Sequence, residues 1–103
     1  MRSILPITGI YNAAAKAAGQ LQDRAENAST LAKEDADKLT CKDIVYAASR
    51  FKLKAEKAAV TVPALRNDGT LRAFCEQFDK VFNVFMLNAI EFEKELERIE
   101  SEQ

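Results

Sequence analysis

The sequence predicts an all-α fold, an antiparallel up-down-up bundle of three helices over about residues 8–38, 41–62 and 70–99. Three observations predict it. Apolar residues recur at steps of three and four through most of the chain, the spacing of one face of a helix. Gly (3) and Pro (2) are scarce, which leaves little chain for loops. Side-chain bulk is divided unevenly: "LRAFCEQFDKVFNVFMLNAIEF", Leu71 to Phe92, holds five of the six phenylalanines, whereas "YNAAAKAAGQ" near the start holds almost none. Interiors pack to crystal-like density, so a phenylalanine-rich helix needs neighbours with small side chains. At 103 residues, this is a single helical-bundle domain with one core, 1–103.

The first helix is expected to begin near Thr8 and Gly9, after Pro6, and to run to about Lys38. Its apolar face is Ile10, Ala14, Ala17, Leu21, Ala25, Ala28, Leu31 and Ala32. Gly19 lies within it at a cost of about 1 kcal/mol relative to Ala, the one point where a break is expected if there is one. Arg24 falls inside the apolar face, where it snorkels outward or meets a carboxylate.

The second helix has a start signal: Thr40 and Asp43 form a capping-box-like T-x-x-D just before Ile44. Ile44, Ala48, Phe51, Ala55, Ala58 and Val62 line its core face, and Pro63 ends it by forcing the preceding residue out of helical geometry. Tyr46, Leu53 and Val60 form a second stripe at seven-residue spacing on the opposite side. A helix with two apolar stripes is either sandwiched or meets a partner.

"RNDG", Arg66 to Gly69, is the next turn, with Thr70 or Asp68 capping the third helix. The main face of that helix is Leu71, Phe74, Cys75, Phe78, Val81, Phe82, Phe85, Met86, Ala89, Phe92, Leu96 and Ile99. At ~100° per residue the band is ~140° wide, enough to touch two neighbours. Val84, Leu87 and Ile90 point away from it. At 1.5 Å per residue the first and third helices would each be ~45 Å long, longer than the second. The N-terminal segment "ILPI" or a second chain is expected to cover the remainder and complete the bundle.

Charge is balanced overall, at −1, but arranged in blocks. Residues 1–22 sum to +2, 23–37 to −3, 38–57 to +4, 58–87 to zero and 88–103 to −4. Such blocks read as solvated helix faces whose complementary signs help neighbours pair weakly. Arg50, Lys54 and Lys57 share a face, with Lys52 beside them. The flanking acids and the absence of a basic tail argue against nucleic acid as the partner. No apolar run approaches the ~18 residues of a membrane span. The acid-free N-terminus is too short in apolar length, and too broken by Pro6 and Gly9, for a secretory signal.

Cys41 and Cys75 lack CxxC spacing and fall near opposite ends of an up-down-up bundle, so both are expected as free thiols in a reducing, cytoplasmic setting. Cys41 would sit in the first turn of its helix, where the dipole lowers a thiol pKa. The tripeptide Asn27-Ala28-Ser29 fits a glycosylation acceptor but lies mid-helix.

The residues offer no chemistry. The chain has no histidine, hence neither the commonest general base nor the commonest metal ligand. Two distant cysteines make no zinc site, and no phosphate-binding or nucleophile-elbow motif is present. The expectation is therefore a non-enzyme without cofactor or metal: a helical interaction or assembly module of adaptor type. Its partner is another protein or its own copy, in a homo-oligomer. Its expected contact residues are Tyr46, Leu53, Val60, Val84, Leu87 and Ile90, since aromatic and aliphatic anchors dominate interfaces. The alternative is a carrier of a lipid or other hydrophobic ligand, with Phe78, Phe82, Phe85 and Met86 lining a seam between alanine-rich walls.

Overall fold

A computed structural model describes residues 5–102, with side chains from residue 8 onward. Three helices account for nearly all of it: α1, Leu5–Leu31; α2, Asp35–Thr61; and α3, Asp68–Ser101. Among the described residues there is no strand. Tyr11 of α1 meets Cys75 and Phe78 near the start of α3, and Arg24 meets Glu100 near its end, so α1 and α3 run parallel. Asp37 at the start of α2 meets Arg98 at the end of α3, so α2 runs the other way. This is the up-down-up three-helix bundle.

The boundaries differ from expectation in instructive ways. The first helix ends at Leu31 rather than Lys38, and the second begins at Asp35 rather than 41. No glycine or proline marks this turn. Glu34 takes an extended conformation (φ −87°, ψ 141°) without a side-chain cap. Asp35 and Asp37 fall in the first turn of α2, where the helix dipole favours acids. Thr40 is not a cap: it lies inside α2 and its Oγ1 donates to the Ala36 carbonyl at 3.0 Å. The helix also starts one residue before Pro6, which the first turn tolerates because the missing N–H has no intrahelical partner there. The expected strap "ILPI" is therefore not a strap: Leu5 to Ile7 begin α1, and Ile4 lies outside the described residues.

α1 passes through Gly19 unbroken, and α2 ends at Thr61 in a short 3₁₀ turn, Val62–Ala64. Contrary to expectation, Val62 is not forced out of helical geometry by Pro63 but keeps it (φ −57°, ψ −46°). Pro63 sits in the first turn of the 3₁₀ segment, where its missing N–H is not needed. Asn67, rather than Thr70 or Asp68, caps α3: its side chain accepts the Thr70 N–H at 3.1 Å. α1 and α2 prove equal in length at 27 residues, and only α3, at 34, is longer. The molecule is a rod of 53 × 18 × 16 Å whose long dimension matches α3 alone, ~50 Å.

The uneven division of bulk sets the packing. α1 and α2 approach each other closely along their length, far more so than either approaches α3. Ala14, Ala18, Ala25 and Ala28 of α1, with Ala48, Ala55 and Ala58 of α2, permit this, and all seven are buried. α1 is rolled from the expected face. Tyr11, Ala15 and Ala18 are buried, whereas Ile10, Ala17 and Leu31 are exposed. The physical reason is Tyr11, whose ring packs edge-on against Phe78 with centroids 4.6 Å apart. All six residues expected on the core face of the second helix are buried, five on α2 and Val62 in the 3₁₀ turn that follows it.

α3 then lies on the alanine-faced pair through its phenylalanines. Phe51 of α2 stacks on Phe85 (4.1 Å, 2° between planes) and touches Phe78 and Phe82 at 5.9 and 5.8 Å. Phe85 also packs against a second cluster, where Leu96 and Ile99 meet Ala25, Ala28, Cys41 and Ile44. Of the twelve residues expected on its core face, only Phe78, Leu96 and Ile99 are buried. Val81 and Met86 are exposed. Two narrow, alanine-faced helices offer a surface narrower than the apolar band laid on it.

Candidate functional site

The six expected contact residues are all exposed, from 51% at Ile90 to 76% at Val60. They form two stripes, each on the outer side of its own helix, not one patch. The two stripes differ in character.

On α2, charge is interleaved with the apolar residues. Arg50 donates to the Tyr46 hydroxyl at 2.7 Å, and its guanidinium lies 5.4 Å from the centroid of that ring. This cation–π and hydrogen-bonded pair holds Tyr46 against its own helix. Lys52 and Lys54 flank Leu53, and Glu56 and Lys57 precede Val60. The groove of about 360 Å³ between α1 and α2 is lined by Glu26, Ser29, Lys42, Val45, Tyr46 and Ser49, a mixed polar surface.

On α3 the stripe falls in "VFNVFMLNAI", residues 81–90, which contains no charged residue. Its inward side holds the half-buried Phe82, Phe85 and Ala89. Its outward side holds Val84, Leu87 and Ile90. Val81 (36% exposed) and Met86 (46%) lie on the two flanks, so apolar surface extends most of the way around this part of the helix. Sequence reasoning placed these two in the core. Their flank positions at the edges of the ~140° band were the available signal. A helix apolar all round is ordinarily buried all round. Here only one side is covered.

Of the residues expected to line a ligand seam, Phe78 borders a groove of about 310 Å³ between α2 and α3, with Phe74, Val81, Lys54 and Lys57. Phe82 and Phe85 face Phe51 instead, and Met86 stands away from that groove at the surface.

Polar contacts hold the far end of α3 in place. Arg24 donates to Glu100 through Nη2 at 2.7 Å and Nε at 3.2 Å, the carboxylate partner its position implied. The bonded guanidinium holds the Glu100 carboxyl below the usual carboxylate range, and Glu100 in turn raises Arg24. Arg98 joins Asp37, Glu95 and Glu102, and the hydrogen bond that it donates to Asp37 is the leading cause that raises it. The acidic end of α3 is thus partly engaged within the chain.

The thiols differ from expectation at one position. Cys41 is not in a first turn but a full turn and more inside α2, completely buried, and burial pushes its thiol up rather than down. Cys75 is half-buried and accepts a hydrogen bond from the Tyr11 hydroxyl at 3.3 Å. Burial first, then Cys75 and Asp79, push that phenol well above its ordinary value. Both cysteines are free. Among the described residues no group of three or more acidic or cysteine side chains could hold a metal ion, and no helix is long and apolar enough to cross a membrane. No family model, curated protein or solved structure matches this chain.

Proposed function

We propose that the protein is a non-catalytic helical interaction module that assembles with its own copy through α3. One observation carries this reading: the charge-free stretch 81–90 leaves Val84, Leu87 and Ile90 more than half exposed in the middle of the longest helix. Scattered apolar residues at a surface need no explanation, but a continuous apolar zone on adjacent turns is the mark of a contact surface. Phenylalanines half-covered on the inner side make the same helix the least completely buried of the three. With both cysteines free, the reading places the protein in a reducing, intracellular setting.

The test is the mass in solution against concentration, for the intact chain, Leu87→Asp and Leu53→Asp. The expected result is a concentration-dependent dimer or larger species for the intact chain and for Leu53→Asp, with Leu87→Asp a folded monomer. Compact monomers for all three at every concentration would refute it.

A second reading, a carrier of a hydrophobic ligand, is favoured by the α2–α3 groove of about 310 Å³. Its apolar floor of Phe74, Phe78 and Val81, with Lys54 and Lys57 at the rim, suits an amphipathic anion such as a fatty acid. Titration with a fluorescent fatty acid, for the intact chain and Lys54→Glu/Lys57→Glu, tests it. Equal affinities, or none, would sink it.

A further inference from the structure

Glu76, Lys80, Val84, Leu87, Glu91 and Lys94 follow one another on α3 at steps of four, four, three, four and three. At ~100° per residue they share one narrow face, directly opposite the face laid on α1 and α2. All six are exposed. In order, the face reads acid, base, apolar, apolar, acid, base. Reversed, it reads base, acid, apolar, apolar, base, acid. The four inner positions, whose steps of four, three and four are themselves symmetric, therefore meet their complements when the helix is turned end for end on itself.

We infer that a second copy of this chain docks on this face, α3 against α3 and antiparallel, with the two-fold axis between Phe85 and Met86. This rests on the self-association reading above and adds the face, the direction and the register. In that register Val84 of each copy meets Leu87 of the other and Lys80 meets Glu91, while Glu76 lies opposite Glu95, one residue short of Lys94. The interface is isologous, so every contact occurs twice. A parallel arrangement in register would instead set Lys80 against Lys80 and Glu91 against Glu91, and like charges in contact are repulsive.

The charges are free to serve. Lys80 and Glu76 form no ion pair among the described residues. Glu91 and Lys94 meet each other at 3.6 Å, but both are about 70% exposed, a loose pair in water. The face on α2 has no such symmetry: its charges around Tyr46, Leu53 and Val60 are mainly basic and would repel a second copy. An interface of one helix from each side lies at the small end of specific contacts, so the dimer is a reversible one, of roughly micromolar affinity.

The experiment is sedimentation equilibrium of the full chain at low ionic strength, for the intact protein, Lys80→Glu and Lys80→Glu/Glu91→Lys. Circular dichroism verifies that each is folded. The expected result is dimerisation about ten-fold weaker or more in Lys80→Glu, because symmetry sets an acid opposite Glu91 twice. The double variant, which exchanges the two signs, recovers most of that loss. A single variant as tight as the intact chain, or a double variant no tighter than the single, overturns the register. If Leu87→Asp is still monomeric in that case, self-association through α3 stands and only the register falls. An intact chain that stays monomeric overturns both.

Discussion

Phe51 is the side chain on which the junction of the three helices depends, so its truncation to alanine should be the most costly single change in the upper half of the bundle. It is 4% exposed, with the rings of Phe78, Phe82 and Phe85 within 6 Å of its centroid. Removing a buried aromatic ring returns on the order of 150 Å² of apolar area, about 4 kcal/mol at ~25 cal/mol per Å². The lost aromatic pairs add about 0.5–1.5 kcal/mol each. Against that, Phe82 and Phe85 are only half-buried and can settle into the void, which lowers the penalty. The expected loss for Phe51→Ala is therefore about 3–4 kcal/mol out of the roughly 5–15 kcal/mol that holds a domain together. In thermal unfolding followed by circular dichroism this is a fall in Tm of about 15–25 °C. Leu53→Ala, two residues away on the outer stripe, should change stability by less than about 0.5 kcal/mol in urea unfolding. A loss below about 1 kcal/mol for Phe51→Ala would refute the idea that the stacked phenylalanines hold α3 on the alanine-faced pair.

Gly19→Ala should stabilise the fold by about 0.5–1 kcal/mol, because the added methyl would meet the Lys52 side chain at an ordinary 3.6 Å while the helix gains propensity; urea midpoints measure it. Asn67→Ala should lower stability by about 1 kcal/mol in the same assay, through loss of the cap on the Thr70 N–H. Native-state alkylation should modify Cys75 well before Cys41, which is fully buried with its thiol pushed up; equal rates would contradict that burial. For Arg24–Glu100, the folded carboxyl is lowered, so the pair stabilises the fold fully above the unfolded carboxylate value, about 4.3, and the effect disappears as pH falls through the folded value. Both side chains are about one-third exposed, so Glu100→Gln should cost no more than about 1 kcal/mol at pH 7 and progressively less as the pH is lowered below the unfolded carboxylate value; a constant difference would contradict the linkage.

The helix period, the six core positions from Ile44 to Val62 and the place where α2 ends, beside Pro63, were legible because each is a local signal, although Val62 itself stays helical. The division of labour between alanine-faced and phenylalanine-rich helices was legible from composition along the chain. The α1–α2 turn was not: no glycine or proline marks it, and Asp37 gains its reason only from Arg98, far along the chain. The T-x-x-D at Thr40 was misleading because the same residues are tolerated inside a helix, with the hydroxyl bonded one turn back. The roll of α1 toward Tyr11 was also hidden, since in an alanine-rich helix several faces look alike and the bulky partner, Phe78, lies on another helix. The exposure of Tyr46, Leu53, Val60, Val84, Leu87 and Ile90 was legible, as apolar positions off the core faces. That they make two stripes, only one of them free of interleaved charge, required knowing which sides of α2 and α3 face outward.

The proposed contact of α3 with its own copy is tested most directly by a distance. Ser101 is exposed, near the end of α3, and its replacement by a spin-labelled cysteine leaves the proposed face intact. Cys75→Ser removes the competing half-buried thiol, and Cys41 is enclosed. In the antiparallel register residue 101 of one copy lies opposite residue 70 of the other, so the two labels stand about 45 Å apart. A distance distribution centred there, present at high protein concentration and lost in Leu87→Asp, is the expected result. A distance of about 10 Å, as parallel helices require, or the same distance in Leu87→Asp, would contradict it.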